Sequence, residues 1–402
     1  MLHRRQAMAL AGGATLAGRA AWAADGGKVR IGVLGDQSGI TAAPGGLGAV
    51  AAVRMAVKDF GGQAAGRQIE VIDADCKLKP DVAAQIAGRW YDEESVDLII
   101  DLPQTAVALA VIDAARRRSR STIVTGATAS VITGAQCSPF NVHWTDDTFA
   151  LANATCRAVV GEGRKNWFFI TADYAFGHEL QDQATDAITA SGGKVVGSAF
   201  HPFGNADFSS FLLRAQTSGA QVVALANVGT DIITAIKQAG EFGLVSSGRR
   251  LVGFLLFIND IHALGLETAQ GMYVTSGFYW DQNDEARSFA TRFKEAVGAM
   301  PSKEQAGCYA ATLHYLHAVN TTGSTDAAAV GQAMRARPLD YFGKKGVIRA
   351  DGRAIYDLTL YQVKSPAASR GAWDYYQPIR TIAGDQAFRP LQAGNCPIVA
   401  KS

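Results

Sequence analysis

What most constrains this chain is an alternation that runs, stops and starts again. Short β-type runs are each followed by a helical stretch: Val29 to Leu34 leads to a helix from Leu47 to Phe60, and Gln68 to Asp73 to one from Asp81 to Tyr91. Val96 to Ile100 leads to a helix from Thr105 to Arg117, before a further run at Thr122 to Val124. The rhythm resumes with Asn166 to Ile170, Lys194 to Gly197 and Gln221 to Leu225, the last followed by a helix over Thr230 to Gly240. Strands alternating with helices predict a parallel sheet covered on both faces. The fold class is therefore α/β, with two doubly wound, Rossmann-like lobes. A chain of 402 residues, 48% hydrophobic and 18% charged, can bury two such cores and has no disorder signature. Strands near Leu251 to Phe257 and Gly271 to Thr275 then precede helices at Asp284 to Val297 and Glu304 to Val319. Strands and loops follow, Asp357 to Val363 being the clearest strand.

The first residues have the marks of an export signal. Arg4 and Arg5 form a basic start, Ala7 to Gly18 a short apolar stretch, and Ala21-Trp22-Ala23 a small-x-small cleavage pattern. The paired arginines, the Gly/Ala-rich core and Arg19 lean towards the twin-arginine route. A leader over 1–24 implies a periplasmic location, and with no cysteine between it and Cys76 no lipid anchor is expected. No later stretch is long and apolar enough to span a membrane. The leader holds three arginines and no acid, so its removal takes the formal net charge from +2 to −1. That balance argues against nucleic acid, and Arg116 to Arg118 with Arg120 reads as the solvated end of a helix.

Five cysteines, at 76, 137, 156, 308 and 396, are too few and scattered for a stapled scaffold, and none has zinc-site spacing, so no metal is expected. Cys137 and Cys396 lie in loop-like Cys-Ser-Pro and Cys-Pro contexts and are the candidate disulfide for an oxidising compartment. Cys156 and Cys308, inside helical patterns, read as small buried hydrophobes. No enzyme signature is present: no G-x-S-x-G, H-E-x-x-H or G-x-x-x-x-G-K-[ST], and Gly46-Leu47-Gly48 lacks the third glycine of a dinucleotide loop. Neither catalysis nor a cofactor is expected.

Several segments carry a family resemblance. They are Ile31-Gly32-Val33-Leu34 before a small-residue loop, Lys79-Pro80-Asp81 opening a helix, Thr125-Gly126-Ala127-Thr128, Asp173-Tyr174-Ala175-Phe176-Gly177, Asp207-Phe208-Ser209-Ser210, Gly271 to Thr275 and Asp351-Gly352-Arg353. In this order, from Lys28 to Val363, the chain resembles the type I periplasmic solute-binding proteins of ABC importers, in the leucine/isoleucine/valine-binding branch. The resemblance implies two lobes joined by three crossover segments, near Asn141 to Asp146, Val274 to Asp281 and Gly346 to Asp351. One lobe would then comprise 25–143 and 279–348, the other 144–278 and 349–402. It also implies closure on a ligand by hinge motion, with permease subunits as partners of the closed form and a monomer as the working unit.

In open α/β sheets ligands sit beyond the carboxyl ends of the strands, where free helix N–H groups favour an anion. In the first lobe that selects Thr41, Gln104, Thr105, Gly126, Ala127 and Thr128, and in the second Tyr174, Phe176, Asn227, Val228 and Phe257. The resemblance implies that the hydroxyls and backbone amides of the first set hold a carboxylate, although Gln104 stands where relatives commonly have serine. Amino-acid binders of the family have an acid in the second lobe for the ligand's ammonium; here Leu255-Leu256-Phe257 occupies that place, with Asp231 and Asp260 as nearby acids that equally suit N-caps. Trp144, Tyr174, Phe176, Phe257, Tyr279 and Trp280 surround the expected cleft, and the resemblance extends to relatives with similar His-Trp and Tyr-Trp-Asp segments that are associated with aromatic acids, which implies an aromatic carboxylate of benzoate or cinnamate type. Packing of Trp144 and Trp280 within the hinge is the competing reading, and His143 reads as hydrogen-bonded there. A branched-chain amino acid, an amide, or a ligand-sensing regulator of the same fold are the alternatives.

Overall fold

A computed structural model describes residues 27–399, so the leader expected over 1–24 lies outside the described residues. The first lobe begins with β1 (Val29–Gly35), α1 (Gly46–Asp59), β2 (Gln63–Ala64), β3 (Arg67–Asp75), α2 (Pro80–Asp92), β4 (Leu98–Asp101), α3 (Thr105–Arg116), β5 (Ser121–Val124) and β6 (Asn141–His143). These strands form one sheet in the order β2-β3-β1-β4-β5-β6, parallel except for the β2–β3 hairpin. Strands β4 and β5 are buried at every residue, as helices on both faces of a parallel sheet require. The polar end of α3 is tied down by ion pairs from Arg116 and Arg117 to Asp113, while Arg118 pairs with Asp92.

The second lobe follows with α4 (Thr148–Gly161), β7 (Asn166–Ala172), α5 (Ala175–Ala190), β8 (Lys194–His201), α6 (Ser209–Thr217), β9 (Val222–Ala226), α7 (Thr230–Glu241) and β10 (Arg250–Gly253). Its parallel sheet has the order β10-β9-β7-β8. The strand expected to reach Phe257 stops at Gly253, because Phe257 is already the N-cap of α8 (Ile258–Leu264). Then come α9 (Leu266–Ala269), β11 (Tyr273–Ser276), α10 (Asp284–Val297), α11 (Lys303–Thr322) and α12 (Ala327–Ala336). Local chemistry starts these helices: Pro80 at the first turn of α2, Asn283 capping α10, and a Ser302–Gln305 capping box on α11.

Helices α10 to α12 return to the first lobe, where Phe289, Phe293, Tyr315, Leu316 and Val330 share a core with Val29, Ile31, Val33 and Val53. The chain closes with β12 (Leu339–Tyr341), β13 (Lys344–Ile348), β14 (Ala354–Tyr356), β15 (Leu358–Val363), β16 (Tyr376–Ile382) and the short α13 (Gly384–Ala387). The chain crosses between lobes three times. The first core holds Val142 and Trp144, then Phe278, then Tyr356 and Leu358, whereas Leu151, Val274 and Tyr361 belong to second-lobe cores. A bond from His143 N–H to Gly352 C=O (2.9 Å) and one from the Tyr356 hydroxyl to Trp144 C=O (2.9 Å) tie crossings together.

Two boundaries differ from the sequence reading. The third crossing lies just after Leu358 rather than at Gly346 to Asp351, because β13 is sandwiched antiparallel between β12 and β14. The tail does not stay with the second lobe either. Ala387 and Phe388 pack into the first core, Arg389 donates to Ser130 C=O, and Cys396 is disulfide-bonded to Cys137 across 259 residues of sequence. Cys76, Cys156 and Cys308 are free and buried.

Candidate functional site

The carboxyl ends of the two parallel sheets face each other across a closed cleft. Its cavity is small, about 20 Å³, and is lined by Thr41, Pro44, Pro103, Gln104, Thr105, Gly126, Ala127, Thr128 and Glu304 on one side. Tyr174, Phe176, Phe203, Val228, Leu255 and Phe257 form the other. The lobes touch around it. The Gln183 side chain donates to the Ser130 hydroxyl at 2.8 Å, and that hydroxyl also bonds Glu179. Gly229, at φ +65°, lies so close to Ile40 that a Cβ would stand 2.3 Å from the Ile40 carbonyl oxygen. Near the hinge, the buried Lys303 ammonium pairs with Asp146 at 2.5 Å and sits 5.3 Å from the centre of the Phe257 ring.

Ten of the eleven residues picked from the sequence line this cavity, and their chemistry divides. No side chain caps the start of α3, and the Thr105 hydroxyl there is 2% exposed with no hydrogen-bond partner. A buried donor without a partner is costly, so this group is poised for something that enters the cleft. The Gly126 and Ala127 amides, expected to serve a carboxylate, are instead spent on the Asp101 and Leu102 carbonyls. The Thr41 hydroxyl donates to Asp36 at 2.8 Å. Thr128 is buried beside the cavity while its carbonyl accepts from Thr148 N–H. The eleventh residue, Asn227, is fully buried behind the wall against His201 and does not line this cavity. It follows the end of β9 by one residue with its side chain against His201, while Val228, the next residue, reaches the cleft.

The second-lobe wall is aromatic. The Tyr174 ring centre lies 4.9 Å from that of Phe203 and 5.6 Å from that of Phe176. Burial, with Asp231 nearby, raises the Tyr174 pKa, so its hydroxyl stays neutral. Trp144, Tyr279 and Trp280 do not reach the cavity. Trp144 packs on His314 and Tyr341 in the first core, and the Tyr279 hydroxyl and Trp280 indole N–H both donate to Trp373 C=O. His143 is wholly buried in the hinge and kept uncharged by desolvation and by Arg353. Asp231 and Asp260 serve backbone N–H groups, of Gly204 and Phe257 respectively, while burial raises their pKa values to about 6 and about 7.

Two acids escaped the sequence reading. Glu304, in the first turn of α11, lines the cavity, is 5% exposed and makes no side-chain hydrogen bond among the described residues. Burial, and next the Asp101 charge, push its pKa well above the usual carboxylate range. Asp101, at the end of β4, is 1% exposed with both carboxyl oxygens unpartnered, and burial followed by the charge of Asp36 raises its pKa to about 8. Its carboxyl fills space left by absent side chains: a Cβ on Gly35 would stand 2.4 Å from it and one on Gly126 3.2 Å. Phe203 was missed too, although it follows the β8 strand end as the other site residues follow theirs. Nothing local marks Glu304, which reads as an ordinary capping-turn acid; only the return of α11 to the first lobe delivers it.

Residues 28–371 match the family described as periplasmic binding protein. A periplasmic binding protein from Burkholderia mallei is 44% identical, with a TM-score of 0.90 over 92% of this chain and 99% of that one. A branched chain amino acid ABC transporter periplasmic ligand-binding protein from Burkholderia xenovorans is 36% identical, with a TM-score of 0.84 over 92% and 100% of the chains. A solute binding protein of an ABC transporter from R. palustris, in complex with benzoate, is 22% identical with a TM-score of 0.79 over 89% and 98%, a likeness of fold alone. Among curated proteins, the Leu/Ile/Val-binding protein homolog 6 of Brucella melitensis is 27% identical over 88% of this chain and 91% of its own length.

Proposed function

The chain belongs to the periplasmic binding protein family, the substrate-binding components of ABC transporters, and from that membership we propose that its cleft captures an aromatic carboxylate for import. One observation carries this reading: the buried, unpartnered Thr105 hydroxyl at the uncapped start of α3 faces a wall of aromatic rings across a small closed cavity. A carboxylate placed there receives the Thr105 hydroxyl, the first N–H groups of α3 and the positive end of its dipole, with Thr128 alongside. The body of the ligand then rests on Tyr174, Phe176, Phe203 and Phe257, which bury an aromatic ring with favourable edge and face geometry. The benzoate held by the R. palustris protein and the branched-chain amino acids named for the B. xenovorans one are both carboxylates on apolar bodies, which supports the division of labour. Binding closes the cleft, and the closed form is what permease subunits would engage.

The test is a thermal-shift screen of the leader-free protein against aromatic carboxylates, aliphatic carboxylates and the corresponding primary amides. A ligand at 100 times its dissociation constant stabilises the native state by about 2.7 kcal/mol. Aromatic carboxylates should raise the melting temperature and their amides should not; a response to amides alone would overturn the reading.

A further inference from the structure

We propose a second ligand site, at the base of the second lobe, that binds a phosphate ester. A cavity of about 230 Å³ opens there, against about 20 Å³ in the closed cleft, and Arg164, Arg249 and Arg250 line it together with Thr268 and Gln270. It lies away from the cleft. Arg250 is the first residue of β10, whose four residues lead on to Leu255 and Phe257 in the cleft wall, so roughly 13 Å of strand separates the two sites. Arg164 stands two residues before β7. The cavity thus sits at the amino ends of β7 and β10, whose carboxyl ends face the cleft.

The charge at this site is unbalanced. Among the described residues only Glu162 answers the three guanidiniums: it pairs with Arg250 at 3.0 Å while also accepting from the Tyr273 hydroxyl. Arg164 donates to Gly248 C=O at 2.9 Å, and Arg249 to the Ser247 hydroxyl and Gln216 C=O at 2.7 Å each, so neither meets a carboxylate. The Nε–H groups of Arg249 and Arg250 are buried and have no acceptor. Two positive charges are left over beside one cavity whose lining holds no acid. Neutral partners hold these guanidiniums in place without discharging them, unlike Arg116 to Arg118, all of which pair with aspartates.

That imbalance selects the ligand. Like charges held around one cavity repel, and an anion between them relieves the repulsion. A phosphate ester carries about −1.5 to −2 charge at pH 7, which matches two unneutralised guanidiniums, and its oxygens accept the parallel N–H pairs that a guanidinium presents. A monocarboxylate would balance only one of them. Thr268 and Gln270, both exposed, add a hydroxyl and an amide for the remaining oxygens, and the volume admits a small organic group behind the phosphate.

Titration calorimetry of the leader-free protein with glycerol 3-phosphate, at physiological ionic strength, tests the proposal. Saturable binding is expected, and Arg164→Gln and Arg249→Gln should each weaken it about 10-fold or more, the loss of one charge-assisted interaction, while Lys77→Gln, at an exposed first-lobe position, stays within about 2-fold. Absence of saturable binding, or an equal loss with Lys77→Gln, would overturn the proposal. So would a loss produced by Thr105→Val instead of by the arginine variants, which would place the phosphate in the cleft. Flotation with phosphatidylglycerol vesicles separates the sources of the group: arginine-dependent retention on the vesicles assigns it to a lipid headgroup, and binding of the soluble ester without retention to a dissolved one. Arg164→Gln gives up one side-chain bond among the described residues, so it should melt as wild type does and carries the test if Arg249→Gln unfolds.

Discussion

The two walls of the cleft are built from the same βα units yet do opposite work. The first-lobe wall is polar and incompletely satisfied, with a free Thr105 hydroxyl, an uncapped helix and the unpartnered acid Glu304, backed by Asp101 at the end of β4. The second-lobe wall is apolar, and its nearest acids are already used to cap backbone amides. A wall with unmet hydrogen bonds recognises charge and orientation, because a wrong ligand leaves its groups buried and unpaired. An apolar wall tolerates variation in shape and supplies affinity by area. Ligand selectivity is therefore expected to reside in the first lobe and affinity for bulk in the second.

The comparison breaks most visibly if the walls cannot meet. Gly229→Ala would place a Cβ on the Ile40 carbonyl, so closure should be lost and the dissociation constant should rise about 100-fold or more as the closed population falls. Titration calorimetry would check this; because Gly229 has a positive φ, the variant should also melt lower without ligand, and a dissociation constant that stays within about 3-fold would show that the walls still meet.

Next is the polar wall. Thr105→Val removes the buried unpartnered hydroxyl and should weaken carboxylate binding by about 1.5–3 kcal/mol, roughly 10-fold to 150-fold. The unliganded protein should lose no stability, because an unsatisfied group has gone; a variant that loses both alike would mean the hydroxyl is structural.

The aromatic wall should respond more gently. Phe203→Ala removes the partner of the Tyr174 ring and should cost about 0.5–1.5 kcal/mol, roughly 2-fold to 12-fold, for aromatic carboxylates and less for aliphatic ones. A uniform loss across both classes would deny the wall its part in choosing rings.

The smallest effect concerns stability rather than binding. Asp101 holds its proton more tightly folded than unfolded, so its contribution falls as pH climbs from near 3.8 towards about 8. Asp101→Asn should melt several degrees higher than wild type at pH 8, the gain shrinking to nothing near pH 4. A pH-independent difference would mean that the carboxyl is ionised in the folded protein.

The cleft residues that follow their strands within a turn were legible in the chain: Thr105, Thr128, Tyr174 and Val228 sit where any doubly wound sheet presents its ligand face. So was the candidate bridge from Cys137 to Cys396, drawn from loop chemistry on either side. Asn227 is set behind the wall against His201 rather than on it, because neighbouring residues at a strand end face opposite sides, and local sequence does not say which side is open. The aromatic segments Trp144 and Tyr279-Trp280 misled for a related reason, since rings that fill a hinge and rings that line a cleft have the same composition.

What the sequence by itself determined is therefore what short-range pattern sets: α/β alternation, two successive parallel sheets, the helix start at Pro80, and the strand ends that face the cleft. What only the tertiary structure decided depends on segments far apart in the chain. The return of α11 sets Glu304 beside Asp101 across some two hundred residues of chain, and the tail folds back over the first core. The packing also spends the Gly126 and Ala127 amides on the end of β4 while leaving Thr105 free. Backbone propensity acts over a few residues, whereas the satisfaction of a buried polar group depends on whatever the whole fold brings within 3 Å of it.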